Sequence, residues 1–316
     1  MMVRAVYILV LLIAQTAFGQ TNNQYKYEIE LGTDNDFLII YTGTDRYYTY
    51  GINGAFRWLN NDDHFISKQF KQSLQSYSEI NVNVEAYTPD YLSDGSIDPN
   101  EERPYAGWSY ANYSVVMAFS VSYLRLGLDV GVMGPASQAG DIQNWFHSEI
   151  TGDPELQGWV NQLPNQLGVN IRGSYGFEVL EGSSFDIYST IEVSIGNIYI
   201  NTRPMIHFRL GKFVPIQNSV GQDNQLLGSK QQVEFYFDTG FGAKVSAFNA
   251  TIQGNLFNND SLFEQDEINN LVFNGYFGFC FLKNRTSIEF KYHLATGELK
   301  SSEINRYASL SFAQRF

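Results

Sequence analysis

Apolar and polar positions alternate with a period of two along almost the whole chain. Leu124, Leu126, Leu128, Val130 and Val132 interleave with Arg125, Gly127, Asp129 and Gly131. Ile80, Val82, Val84 and Ala86 interleave with Asn81, Asn83 and Glu85, and Val233, Phe235 and Phe237 with Gln232, Glu234 and Asp238. Successive side chains of a strand point to opposite faces, so this pattern predicts strands with one apolar and one polar face. Segments of this kind cover roughly 24–33, 46–59, 77–88, 104–119, 121–134, 166–181, 183–197, 203–214, 230–258, 270–283, 285–296 and 304–316. The stretch 230–258 lacks a strong turn signal and is read as one strand, which makes twelve. The stretch Asp141-Ile142-Gln143-Asn144-Trp145-Phe146-His147 breaks the alternation and is compatible with a helix. Gln143 and His147, four residues apart, would share one face of it.

A soluble sandwich alternates too, so the environment of the apolar face decides the class. The chain holds 21 Tyr and 24 Phe but only 8 Pro, a mixture suited to a lipid-facing wall with aromatic girdles and a polar lumen. Mean hydropathy of −0.23 is too polar for a bundle of membrane helices, and no run approaches ~18 consecutive apolar residues beyond the first residues. At the start, Arg4 precedes the apolar run Val6 to Ile13, and Ala17-Phe18-Gly19 has a small-x-small pattern. This predicts an export signal over 1–19 and a single mature barrel domain over 20–316. Cys280 is the single cysteine, which excludes an internal disulfide framework. At the other end, Ala308, Leu310, Phe312 and Phe316 share one face, and a terminal aromatic strand ending on Phe resembles the insertion signature of bacterial outer-membrane barrels. The expected fold is an all-β transmembrane antiparallel barrel of about twelve strands, with a short external helix in a long loop.

Strand parity then sorts the connections. With both termini on the periplasmic side, the segments 34–45, 89–103, 135–165, 198–202, 259–269 and 297–303 all fall on the outer rim. Most opposite turns are short, as at Ser120 to Ser122, but 60–76 and 215–229 are longer than a barrel of this kind leads one to expect. A net charge of −13 argues against nucleic acid as a partner.

Three polar clusters fall on the outer rim. Thr33-Asp34-Asn35-Asp36-Phe37, followed by Thr44-Asp45-Arg46-Tyr47-Tyr48-Thr49-Tyr50-Gly51, offers hard oxygen ligands suited to calcium, or an Asx-rich turn at a strand end. Glu101-Glu102-Arg103-Pro104-Tyr105-Ala106-Gly107-Trp108 reads as an interface girdle with an arginine able to pair with a carboxylate or a lipid phosphate. The 135–165 connection is long enough to be a cap or lid. It carries His147, whereas His64 lies in a turn and His207 and His293 lie in strands. No Cys or second His stands at zinc-ligand spacing from His147, and Ser148 points to a different helix face.

Together these motifs resemble the outer-membrane lipid A 3′-O-deacylase family. The resemblance rests on Asn35-Asp36, Asp45-Arg46 with Tyr48-Thr49-x-Gly51, Arg103-Pro104-Tyr105-Ala106-Gly107-Trp108, and Gly134-Pro135 followed by Gln143-Asn144-x-x-His147. It implies calcium-dependent hydrolysis of the 3′-linked acyloxyacyl ester of lipid A in the outer leaflet, by a monomer whose partners are lipopolysaccharide and the membrane. His147 would be the general base that activates water, contributing about 10²–10⁴-fold. Asn35 and Asp36 would sit at the calcium and oxyanion end, Thr49 would line the site, and Gln143 would stand one turn from His147. Glu155, preferred over Asp153 for its place in Pro154-Glu155-x-Gln157-Gly158-Trp159, would ligate calcium with Asp36, and Arg103 would bind substrate. The family's basic residue in the 89–103 loop is missing, since that region reads Asp90-Tyr91-Leu92-Ser93-Asp94. A non-enzymatic porin and a serine-type outer-membrane phospholipase are the competing classes. The first predicts an open conducting lumen, the second an essential serine.

Overall fold

The computed structural model describes residues 23–35, 47–61, 63–70, 72–89, 103–258 and 267–316. The segment 1–19, expected to be an export signal, lies outside the described residues. Twelve strands close into an antiparallel barrel in which each strand pairs with its sequence neighbours and β1 pairs with β12. They are β1 (Tyr27–Asn35), β2 (Tyr47–Leu59), β3 (Gln75–Thr88), β4 (Ala106–Ala118), β5 (Ser122–Met133), β6 (Gln166–Leu180), β7 (Phe185–Gly196), β8 (Tyr199–Lys212), β9 (Val233–Asn249), β10 (Leu271–Lys283), β11 (Thr286–Ala295) and β12 (Asn305–Arg315). Among the described residues closure leaves no edge strand, which is what a hydrocarbon environment demands.

The alternation maps onto the two faces of the wall. Leu31, Phe56, Val82, Val130, Ile171, Phe241, Phe273 and Phe312 point outward and are exposed. An apolar exterior on this scale is stable in lipid and a liability in water. The inward residues are polar and paired. Arg57 reaches Glu28 at 2.5 Å and Glu30 at 2.8 Å and also bonds Glu79. Arg209 pairs with Asp186, and Arg172 with Asp129.

Two expectations about connections need correction. The segment 198–202 is not a loop, because β8 begins at Tyr199 and continues the β7 ladder from Ile200. Asn170 makes the tight turn possible, its side-chain oxygen accepting from the Ile198 and Tyr199 amides at 3.0 and 3.3 Å. The segment 213–232, in contrast, is no ordinary turn. Three short 3-10 turns, Ile216–Asn218, Val220–Gln222 and Gln225–Leu227, fold back into the barrel mouth. There Tyr77 donates to the Asp223 carbonyl at 2.8 Å, Gln222 donates to Tyr188 at 2.9 Å and Gln225 donates to Glu28 at 2.9 Å. Ile216, Leu226 and Leu227 pack against Tyr77, Val116, Tyr123 and Tyr188. The extra length forms a plug that satisfies inward polar groups at this end. Above it lies a polar lumen of about 590 Å³, whose lining includes Gly221, Gln222 and Asp223.

Candidate active site

The long β5–β6 connection builds a cap on the outer face of the wall. Gly134 turns the chain out of β5 at φ 93°, where an added Cβ would lie 2.7 Å from the Leu163 carbonyl oxygen. A short turn, Pro135–Ser137, leads through Gln138 at φ 60° into the helix Ala139–Phe146. The helix widens into a π-helical turn, His147–Thr151, and ends at Gly152, whose φ of 78° suits glycine. Wide turns of this kind recur at functional positions.

One face of the helix is buried, comprising Ala139, Gly140, Gln143 and, one turn on, His147. The spacing seen in the sequence therefore does place Gln143 and His147 on the same face. That face packs against β3 and β4, with Ala139, Leu156 and Trp159 joining Tyr50, Ala86 and Tyr105 in one apolar cluster. Tyr50 donates to the Ala139 carbonyl at 2.6 Å. Gly107 allows the close approach, since a Cβ there would sit 2.6 Å from that of Ala139.

A β-bulge shapes the wall beneath. The β2–β3 register shifts between Tyr48 and Tyr50, so that Tyr48 points inward to donate to Asp34 at 2.9 Å. Thr49, at the bulge, bonds Thr88 hydroxyl to hydroxyl at 2.7 Å, and both threonines are buried. Bulges commonly re-aim side chains next to sites. Asn35 pairs directly across from Tyr50 and so shares its outward face. Asp36, expected beside it as a catalytic and calcium-binding residue, lies outside the described residues.

The chain from 153 to 163 packs Leu156 and Trp159 along the buried side of the helix. His147, 5% exposed, has its Nδ1 2.9 Å from the Pro154 carbonyl oxygen. A carbonyl only accepts, so Nδ1 carries a proton and the neutral ring places its lone pair on Nε2. Asn144 accepts from the Leu156 amide at 2.8 Å, and Gln143 accepts from the Trp159 indole at 2.9 Å. The Leu163 amide donates to the Tyr105 carbonyl at 2.9 Å, closing this segment onto the wall. None of these backbone acceptors leaves a mark in residue type. Nothing in the sequence marks the bonds of Trp159 to Gln143 and of Tyr50 to Ala139.

One expected site residue lies elsewhere. Arg103 is buried on the lumen side of the wall, not on the His147 face. It donates to Thr251 Oγ1 at 3.0 Å and Glu298 at 3.3 Å, and its guanidinium stacks 4.5 Å from the centre of the inward Tyr87 ring. Glu298 also receives Lys244 at 2.5 Å. The physical reason is local: Tyr87 and Glu298 give the cation a partner-rich pocket at the barrel mouth. Burial pulls the Arg103 pKa down, opposed by Glu298. Burial acts against the Glu298 carboxylate too, but Lys244 and Arg103 outweigh it and hold its pKa below the usual range. Glu155 is exposed and lines a cleft of about 680 Å³ with Asp141, Asn144 and Gln157, whose lining does not include His147. Among the described residues no group of three or more His, Cys, Asp or Glu side chains is arranged to hold a metal ion. The described residues therefore do not by themselves compose a calcium site. Ser148 is exposed and its hydroxyl donates to the Trp145 carbonyl at 3.3 Å.

A closed barrel with an apolar exterior, a polar lumen and a capped histidine outside its wall defines an outer-membrane barrel protein with a candidate site on its lipid side. The chain belongs to the LpxR family: the model described as "Outer membrane protein LpxR" matches residues 3–316. Among solved structures, LpxR from Salmonella typhimurium aligns with a TM-score of 0.72 at 17% identity, covering 92% of this chain and 100% of that one. At that identity the likeness speaks for the fold. The β domain of the Bordetella autotransporter BrkA aligns with a TM-score of 0.47 at 9% identity, covering 92% of this chain and 98% of that one. No curated protein sequence matches the chain.

Proposed function

We propose that this protein is a lipid A 3′-O-deacylase, which hydrolyses the 3′-linked acyloxyacyl ester of lipid A from the outer leaflet with a histidine-activated water. The observation that carries the reading is the bond between His147 Nδ1 and the Pro154 carbonyl on the buried face of the cap. It fixes the tautomer a general base requires. His147 Nε2 takes a proton from water as the water oxygen bonds to the ester carbonyl carbon. Collapse of the tetrahedral intermediate breaks the bond to the sugar oxygen, and His147 returns the proton to that oxygen. Thr49 lines the site, and Gln143 and Asn35 supply polar groups near the developing oxyanion. The position of the cap favours a lipid substrate, because a chain in the membrane reaches the outer wall without crossing the lumen.

Calcium dependence is part of the proposal through the family resemblance, with Asp36 and Glu155 as its acidic ligands. A bound calcium would stabilise negative charge on the carbonyl oxygen. No step above runs through it. Against the porin reading stands the plug at 213–232. Against a serine nucleophile stands the orientation of Ser148 toward the Trp145 carbonyl.

The test is purified protein with lipid A in detergent micelles, followed by mass spectrometry with and without a chelator. The reading predicts loss of one acyloxyacyl group, abolished by chelation and restored by calcium. An unchanged spectrum from folded protein with calcium present would overturn it. Full activity in chelator would remove calcium from the reading and leave the ester hydrolysis standing.

A further inference from the structure

Beyond this reading, and resting on it, we infer that Trp159 is a positioning residue that sets the catalytic orientation of Gln143. An indole N–H can only donate, so the 2.9 Å bond from Trp159 Nε1 requires the oxygen of the Gln143 carboxamide to face the ring. The planar amide then turns its N–H₂ end away from the indole. Trp159 lies toward the start of the helix, packed so closely on Gly140 that a Cβ there would be 2.6 Å from indole Cδ2. His147 lies on the other side of Gln143, one turn toward the helix end. In the proposed arrangement the amide donor serves the His147 side, where an ester carbonyl gains negative charge as water adds.

The ring is itself held. Tyr105 meets Trp159 edge-on with centroids 5.2 Å apart and an interplanar angle of 60°. A side chain on Gly158 would run into that Tyr105 ring, whose Oη would lie 2.6 Å from the added Cβ. Trp159 is 6% exposed and Gln143 3% exposed, so water does not compete for the bond. Without the indole donor the carboxamide can flip, presenting its oxygen to the oxyanion and replacing attraction with repulsion. Trp159 touches no reacting atom; it acts through Gln143.

The test is a double-mutant cycle with Trp159→Phe, Gln143→Ala and the pair, scored for kcat and KM on lipid A. Trp159→Phe keeps a ring against Tyr105 and Gly140 and removes the donor. The expected result is a fall in kcat of about tenfold with KM little changed, the scale of losing one well-placed donor. In the Gln143→Ala background the same substitution should cost nothing further. An equal loss in both backgrounds would assign Trp159 to packing alone and overturn the inference, as would wild-type kcat in Trp159→Phe. A spectroscopic arm keeps this separate from the deacylase reading. The indole ¹H–¹⁵N resonance of Trp159, assigned by its loss in Trp159→Phe, should move upfield in Gln143→Ala. If it moves while no variant has activity, the contact stands and the deacylase reading fails. If it does not move, the contact is refuted.

Discussion

Single residues in this protein act through the partners that fix them. His147 has its tautomer set by a backbone carbonyl, and Arg103 is drawn into the lumen mouth by Tyr87, Thr251 and Glu298. The Arg103–Glu298–Lys244 clasp gives a pH prediction. The Glu298 pKa in the folded protein lies below its ordinary value of 4.5, where burial is outweighed by Lys244 and Arg103. Its contribution is therefore complete above the ordinary value and lost as pH falls through the lower, folded one. Glu298→Gln should lower stability at neutral pH by about 2 kcal/mol. The gap from wild type, read from denaturation midpoints across pH, should close on the acid side and persist on the alkaline side. The shared face of Gln143 and His147 was legible because spacing of four is a property of residue positions. Sequence reading misplaced Arg103 because the choice between lumen and outer face depends on which partners other strands bring.

At the scale of elements, the cap helix is held by the close fit of small residues to the wall. Gly107 faces Ala139 and Ser137, and Gly140 faces Trp159. Gly107→Val should lift the helix off β4, at a local cost of about 1–3 kcal/mol for overpacking. The barrel itself should still form, visible as heat-modifiable migration on gels. Deacylation should fall by about a hundredfold, because a displacement near 1 Å misaligns the base. Wild-type activity in a folded Gly107→Val protein would separate the helix position from catalysis. Strand boundaries were largely legible, since lipid outside and polar lumen inside impose alternation on every strand. The Thr49 bulge was not, because one extra residue shifts a register without altering composition.

For the whole molecule, the barrel is lined by buried ion pairs and plugged at one end. Arg57 holds Glu28, Glu30 and Glu79 together beneath the plug, with Asp223 at 3.6 Å. Arg57→Ala would take from three buried carboxylates the cation they share, leaving Glu28 with Gln225 and Glu79 with Arg125 at 3.5 Å, and should cost about 3–5 kcal/mol, measured by unfolding in denaturant. Deleting 216–227 should convert a silent protein into a channel in planar bilayers. Equal, large conductance before and after deletion would restore the porin reading. The count of twelve strands followed from alternation, chain parity and the absence of a turn signal in 230–258. The inward fold of 213–232 did not, because a polar segment inside a wet lumen looks like any polar loop in sequence.

The central claim, that His147 is the base of an ester hydrolysis on the outer wall, is tested most directly in cells. Lipid A is extracted from a susceptible outer membrane making either the wild-type protein or His147→Ala, with both shown to be folded and inserted. The account predicts a mass loss of one acyloxyacyl group with wild type and an unchanged lipid A with His147→Ala. The same mass loss from the His147→Ala protein would contradict it.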